Sequence, residues 1–258
     1  MKKGESDFVD ASSYTNNEKS EKKSLSKITP KKDLPPLSSE KAFAQIPSNI
    51  RQFLDKAGIK ELRLSQRKSI AAGLFTNTHN QLVCTPTGSG KTLVAELALL
   101  DEIVNKKKKV IYIVPLKALA SEKYKEFTNL YGQDFKVRIS IGELQNEKYA
   151  LDFDLLLTTA EKLDSLIRHD KALLYGLGLV VVDEIHLLQD DKRGPTLEVL
   201  LSIFKAKYPS LRIIGLSATI GNATEIAAWL EADLIEDDWR PVILEHHVLY
   251  DNTMKRFR

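Results

Sequence analysis

The eight residues Thr85-Pro-Thr-Gly-Ser-Gly-Lys-Thr92 constrain this chain more than any other stretch. They follow a short apolar run over residues 81–85 and precede a helical pattern through Leu93, Leu97 and Leu100. Between a strand and a helix, such a turn is built to hold phosphate. Its glycines let successive backbone N–H groups curl round phosphate oxygens, and the helix N-terminus adds its dipole. The stretch fits the P-loop pattern G-x-x-x-x-G-K-[ST], except that Thr85 stands at the first glycine position. The pattern predicts that Thr87, Gly88, Ser89 and Gly90 wrap the phosphates. Lys91 reaches the β- and γ-phosphates, and the Thr92 hydroxyl ligates Mg²⁺. ATP and Mg²⁺ are the cofactors implied.

The remaining pattern says what kind of sheet carries this loop. Apolar runs at residues 81–85, 110–114, 137–141, 155–159, 177–182 and 213–216 alternate with helical periodicity. Helices are expected near residues 47–54, 65–75, 118–130, 163–167, 197–204 and 225–230, and a final strand over 242–249. The strands are continuous apolar runs, which marks strands buried on both faces. The expected fold is therefore α/β: a doubly wound, mainly parallel sheet with helices on both faces. In such sheets ligands sit beyond the carboxyl ends of the strands.

Composition removes several classes. There is one cysteine, Cys84, so no disulfide framework is possible. No stretch approaches the roughly 18–20 apolar residues of a membrane span, and residues 1–32 hold no apolar signal core. A cytoplasmic setting and no membrane partner are expected. Lys+Arg 38 against Asp+Glu 35 gives +3, which does not by itself argue for a nucleic-acid partner. Residues 1–45 are rich in Lys, Ser and Glu with aperiodic apolar residues, and read as a disordered tail. The folded unit is expected over residues 46–240.

A second site follows the most apolar run. Asp183-Glu-Ile-His186 ends the strand over 177–182. A carboxylate there can hold Mg²⁺, which makes Asp183 the metal residue beside Thr92. Glu184 can orient and deprotonate an attacking water. Phosphoryl transfer needs mainly positioning and charge neutralisation, so Lys91, Asp183 and Glu184 are the expected catalytic set.

Seven ordered stretches then point the same way: TPTGSGKT, PLKALASEKY, TTAEKLDSL, VVDEIHLL, RGPTLE, GLSATIGN and DWRPV. Together they resemble the DExH-box helicases of superfamily 2, nearest the archaeal fork-repair DNA helicases and the related Ski-like RNA helicases. The resemblance runs from about Ile46 to Val248. It implies a RecA-like ATP-binding domain, the first of two. It also implies that Gln66 reads the adenine edge, although the lead-in Leu64-Ser65 departs from the family. Lys117, Thr159, Lys162, Arg193 and Thr196 become nucleic-acid contacts, with Ala160 standing where the family has Ser. His186, Ser217 and Thr219 become the residues coupling nucleotide state to strand binding.

The resemblance also sets an expectation about what is missing. The family's second RecA-like domain supplies arginine fingers, and no such motif occurs in this sequence. Residues 241–258 read as the start of a linker toward that domain, in cis or in trans. The chain alone should bind ATP·Mg²⁺, hydrolyse it slowly and not unwind duplexes. The partner expected is single-stranded or forked DNA, with RNA as the alternative. A stand-alone nucleotide-dependent binding module, or half of a split helicase, remains the competing reading. Three signals are discounted at this level. The lysines at 106–109 read as a solvated helix end, His246-His247 as no metal site, and Trp229 and Trp239 as packing anchors.

Overall fold

The computed structural model describes residues 35–142, 152–240, 242, 246–250 and 253–257. Residues 1–34 of the expected tail lie outside the described residues. The centre is a seven-stranded sheet: β1 (Asn80–Cys84), β2 (Lys109–Ile113), β3 (Val137–Ser140), β4 (Leu155–Thr158), β5 (Leu177–Val182), β6 (Arg212–Ser217) and β7 (Ala232–Glu236). Its order is β3-β4-β2-β5-β6-β1-β7, and every pairing is parallel. The α/β expectation holds.

Parallel strands need crossovers, and among the described residues helices supply those after β1, β2, β4, β5 and β6. The helices of the sheet and its N-terminal cover are α1 (Ser39–Gln45), α2 (Ser48–Lys56), α3 (Leu64–Ala71), α4 (Lys91–Leu100), α5 (Lys117–Tyr131), α6 (Ala160–His169), α7 (Gly194–Lys207) and α8 (Ala223–Leu230). Successive strand residues face opposite sides, so each strand feeds two cores. In β2, Val110 and Tyr112 join a core with Ile50, Phe53, Leu97 and Phe127 from α2, α4 and α5. Ile111 and Ile113 join the other core, with Leu163, Leu200, Phe204 and Leu230 from α6, α7 and α8. This two-sided burial is what produced continuous apolar runs in the sequence.

Four boundaries differ from expectation. Ser39–Gln45, inside the stretch read as disordered, is helical, with the Ser38 hydroxyl capping the Lys41 N–H and Ala42 fully buried. The helix expected to reach residue 75 ends at Ala71. β7 was not expected at all, yet it pairs with β1 along its whole length. Glu231, at φ 53°, turns α8 directly into it. The final strand is His246–Tyr250, paired antiparallel with Thr253–Phe257 in a separate two-stranded sheet.

The strand order places the chemistry. β5, β6 and β1 are adjacent, so the loops after Val182, Ser217 and Cys84 emerge side by side at the carboxyl edge. The strand order reverses near β1, as expected of the ligand crevice in an open α/β sheet.

Candidate functional site: a phosphate cradle facing two carboxylates

The loop after β1 is held from several sides. Gly88 and Gly90 take φ of 80° and 90°, backbone that side chains rarely adopt. A Cβ on Gly90 would stand 2.5 Å from the Gln66 amide nitrogen and would displace that side chain from the loop. Thr85, the departure from the glycine pattern, is fully buried, and its hydroxyl meets the Ser89 hydroxyl at 2.6 Å. A hydroxyl pair closes the loop where the common pattern has a glycine. Thr87 is exposed and Thr92 half-buried at the mouth of the loop.

Gln66 belongs to this cradle. Its Nε2 donates to the Gly90 carbonyl at 2.9 Å, and its Oε1 accepts from the Arg63 N–H at 2.7 Å. It is 2% exposed, so it bridges α3 to the loop rather than lying on a helix surface. Arg63, which the sequence reading did not single out, donates from Nη1 to the Gly88 carbonyl. Its guanidinium also lies 5.7 Å from the Trp239 ring centre. Trp239 is 42% exposed, which corrects its reading as a packing anchor. Trp229 does pack against the second core.

Lys91 opens α4 and is 7% exposed, yet its Nζ has no hydrogen-bond partner. Its nearest carboxylate oxygen is Glu184 Oε1 at 3.4 Å. An ammonium this buried normally has its donors satisfied. Left with open donors at a helix N-terminus, below two glycines, it is suited to an anion of several oxygens. Glu184 takes φ 50°, a left-handed backbone rare outside glycine. That turn lets Oε1 face Lys91 while Oε2 stands 3.3 Å from His186 Nδ1. His186 Nδ1 is also 3.4 Å from the Ser217 hydroxyl. A chain of polar contacts thus runs Lys91–Glu184–His186–Ser217 across three adjacent strand ends. Thr219 is exposed.

Asp183 is 7% exposed. Its Oδ1 accepts the Glu184 N–H at 3.0 Å, and its Oδ2 accepts the Tyr112 hydroxyl at 3.2 Å. Lys123 Nζ lies 3.9 Å from the same Oδ2. Burial pushes the carboxyl upward, Lys123 opposes this, and the like charge of Glu184 adds to it. The sequence reading gave no role to Tyr112 or to Lys123, although Lys123 lies in the quoted stretch PLKALASEKY. Among the described residues, no cluster of three His, Cys, Asp or Glu could hold a metal.

The residues expected to touch a strand divide. Lys117, Thr159 and Lys162 line one hollow, joined by Glu161, Ser165 and His169, the last two not foreseen. Thr159 caps α6 there, its hydroxyl accepting from the Lys162 N–H at 3.4 Å. Arg193 instead lines a cleft with Asp183, Glu184 and Leu187, and Thr196 is half-buried on α7. Lys106 also departs from expectation, since it pairs with Asp101 and Glu102 at 2.9 and 2.7 Å rather than standing in solvent.

A parallel seven-stranded sheet with a P-loop after one strand and an Asp-Glu pair, its Asp buried, after the second neighbour defines a class of nucleotide-driven proteins. The chain belongs to the DEAD/DEAH box helicase family, whose model matches residues 63–226. It is 46% identical over 211 residues to ATP-dependent DNA helicase Hel308 of Methanococcus vannielii, covering 80% of this chain and 28% of that protein. It is 48% identical over 214 residues to the Hel308 of Methanocaldococcus jannaschii, covering 81% of this chain and 18% of that protein. The Hel308 of Pyrococcus horikoshii is 42% identical over 207 residues, 28% of its length. The chain thus spans less than a third of the curated relatives it matches. Among the described residues no helix is long and apolar enough to cross a membrane.

Proposed function

We propose that this chain is the ATP-binding motor domain of a DNA helicase, binding ATP·Mg²⁺ at the carboxyl edge and one nucleic-acid strand beside it. The observation that carries this is the buried Lys91 ammonium without a hydrogen-bond partner, under Gly88 and Gly90 and facing Glu184. The loop N–H groups and Lys91 hold the phosphates, and Thr92 and Asp183 hold the metal. When bound, Mg²⁺ would supply positive charge to offset that of the phosphates, with Thr92 and Asp183 as the residues that would hold it. Gln66 and Arg63 fix the cradle from α3.

Hydrolysis at this site needs a base and an in-line water. Glu184 is ion-paired to Lys91 at 3.4 Å, so a phosphate drawing Lys91 away releases that carboxylate. The freed Glu184 can then take the proton of an attacking water. His186 and Ser217 sense the change through Glu184 Oε2. Lys117, Thr159 and Lys162 offer a cation, a helix N-terminus and a second cation to a strand backbone, which fixes register without reading bases. Binding of this kind weakens with salt. Arg193 and Thr196 complete the strand-facing set, and Thr219 the coupling set. A second RecA-like domain, in cis or in trans, supplies the opposite wall of the ATP site. Its absence from an assay leaves turnover slow, because an arginine finger is worth roughly 10³–10⁵ in rate.

The test is nucleotide binding and ATPase turnover of the chain, with and without single-stranded DNA and RNA. Mg²⁺-dependent binding of a fluorescent ADP, strongly weakened in Lys91→Ala, is expected, with slow turnover. Normal binding by Lys91→Ala would overturn the phosphate assignment. Preference for RNA over DNA would move the reading to the Ski-like branch, which the identity to the DNA helicases disfavours.

A further inference from the structure

Asp183 presents a problem of charge. It is 7% exposed, and the nearest other acid, Glu184, follows it in the chain. A carboxylate taken out of water is costly unless a countercharge stays with it. Lys91 is drawn to Glu184 at 3.4 Å. The Tyr112 hydroxyl donates to Asp183 Oδ2 but carries no charge. The cation that acts most strongly on Asp183 is Lys123, 3.9 Å from Oδ2, with Lys91 acting more weakly from beside Glu184.

The setting of Lys123 is specific. Its side chain is 12% exposed and its ammonium lies 5.5 Å from the Tyr112 ring centre and 5.7 Å from that of Phe127. Those two rings meet edge to face at 5.6 Å and are fully buried. The ammonium is thus guided by two aromatic faces toward one oxygen. Other acids face it from α4 and α5: Glu96, whose Oε2 accepts the Tyr131 hydroxyl at 2.6 Å, and Glu126. Lys123 also acts on Glu96, whose hydroxyl partner is as neutral as that of Asp183, but its ion pair within 4 Å is with Asp183. At 3.9 Å the lysine is close enough to balance Asp183 without bonding it tightly. A loose pair of this kind can give way to a stronger cation.

We propose that Lys123 is the resident counter-ion of Asp183, a positioning residue that holds this carboxylate charged and oriented until Mg²⁺ with its nucleotide supplies positive charge. The inference rests on reading Asp183 as the metal residue. Two consequences separate it from simple packing. Removing the lysine charge should destabilise the nucleotide-free chain but tighten Mg²⁺·ADP binding, because a cation competing for Asp183 has gone. The effects of Lys123 and Asp183 should also be strongly non-additive.

The experiment compares the full chain with Lys123→Met, which keeps the stem between the rings, Lys123→Arg, Asp183→Asn and the Lys123→Met/Asp183→Asn double variant. Thermal unfolding is followed with no nucleotide, and for each chain except those lacking Asp183, with saturating Mg²⁺·ADP. Lys123→Met is expected to lower Tm by roughly 3–8 °C without nucleotide. Mg²⁺·ADP should raise the Tm of Lys123→Met by more than it raises wild type, and bind it about 3- to 10-fold more tightly. Lys123→Arg should behave as wild type, and the double variant should match Asp183→Asn within about a degree. If Lys123→Met fails to fold while the double variant folds, the counter-ion role is supported more strongly. Additive losses, failure of both to fold, or equal stabilisation of Lys123→Met and wild type by Mg²⁺·ADP would overturn it. If wild type shows no Mg²⁺-dependent ADP binding, the site assignment itself fails. If wild type binds and the losses are additive, only the role of Lys123 fails.

Discussion

The two ends of the sheet both bury charge, and they treat it differently. At the amino-terminal end, Arg212 opens β6 and is 1% exposed. Its Nε and Nη1 donate to the His79 and Leu74 carbonyls, each at 2.8 Å. Asp101, Glu102 and Asp233 surround it, Lys106 pairs with the first two, and His79 stands 3.3 Å from Asp233. At the carboxyl end, Lys91 keeps open donors, Glu184 sits in left-handed backbone, and Asp183 has a countercharge only at 3.9 Å. Unbonded polar atoms occur at both ends, Arg212 Nη2, Asp101 Oδ2, Glu102 Oε2 and Asp233 Oδ1 among them. The difference lies in how closely opposite charges meet: at 2.7–3.3 Å around Arg212, against 3.4 and 3.9 Å for Lys91 and Lys123. An unbonded polar atom therefore does not mark function here by itself; a buried cation held off from its countercharge does.

Substitutions should break this contrast in opposite senses. Arg212→Met leaves two carbonyls and a group of buried acids without their cation, and should lower stability by about 3–5 kcal/mol in urea unfolding. Whatever fraction remains folded should bind Mg²⁺·ADP with unchanged affinity. Lys91→Ala should do the reverse. Its Tm should stay level or rise, while nucleotide affinity falls about 10- to 100-fold in fluorescence titration.

Glu96, beside α5, gives an intermediate case. Burial raises its carboxyl above the ordinary range, against the Tyr131 hydroxyl bond that lowers it. A raised folded-state pKa means the protonated form is favoured by folding. That stability is present at low pH and is lost as pH rises through the folded-state value. Glu96→Gln, always neutral, should escape the loss. Its stability advantage over wild type should therefore grow from acid toward neutral pH, reaching about 1 kcal/mol or less in urea unfolding. The smallest effect belongs to Cys84, whose thiol burial pushes up to about 12. It should resist a disulfide reagent at neutral pH in the folded chain and react fully only in denaturant.

Some of this was legible in the sequence because it is local. The cradle is eight consecutive residues, and its strand and helix adjoin it. Asp183 and Glu184 follow an apolar run that no exposed segment would carry. What was missed depends on partners far along the chain. Lys123 lies in Ser-Glu-Lys-Tyr-Lys, which reads as a solvated helix face; only the packing of α5 against β2 brings it under Asp183, sixty residues on. Tyr112 reads as one more apolar strand residue until its hydroxyl is located. β7 is Ala-Asp-Leu-Ile-Glu, short and flanked by acids, and its apolar character becomes evident only when Leu234 and Ile235 turn to opposite cores. Ser39–Gln45 is too short to show a period, and what distinguishes it is tertiary: Ala42 is buried, Leu37 and Phe43 pack against the first core, and Ser38 caps it.

Gln66 has a kinetic consequence. Its amide already spans Gly90 and Arg63, and Arg63 already holds Gly88. A loop fixed in this way has little ordering entropy to lose when phosphate arrives. Capture should then proceed at a rate set by encounter, with differences between nucleotides residing in how slowly each one leaves.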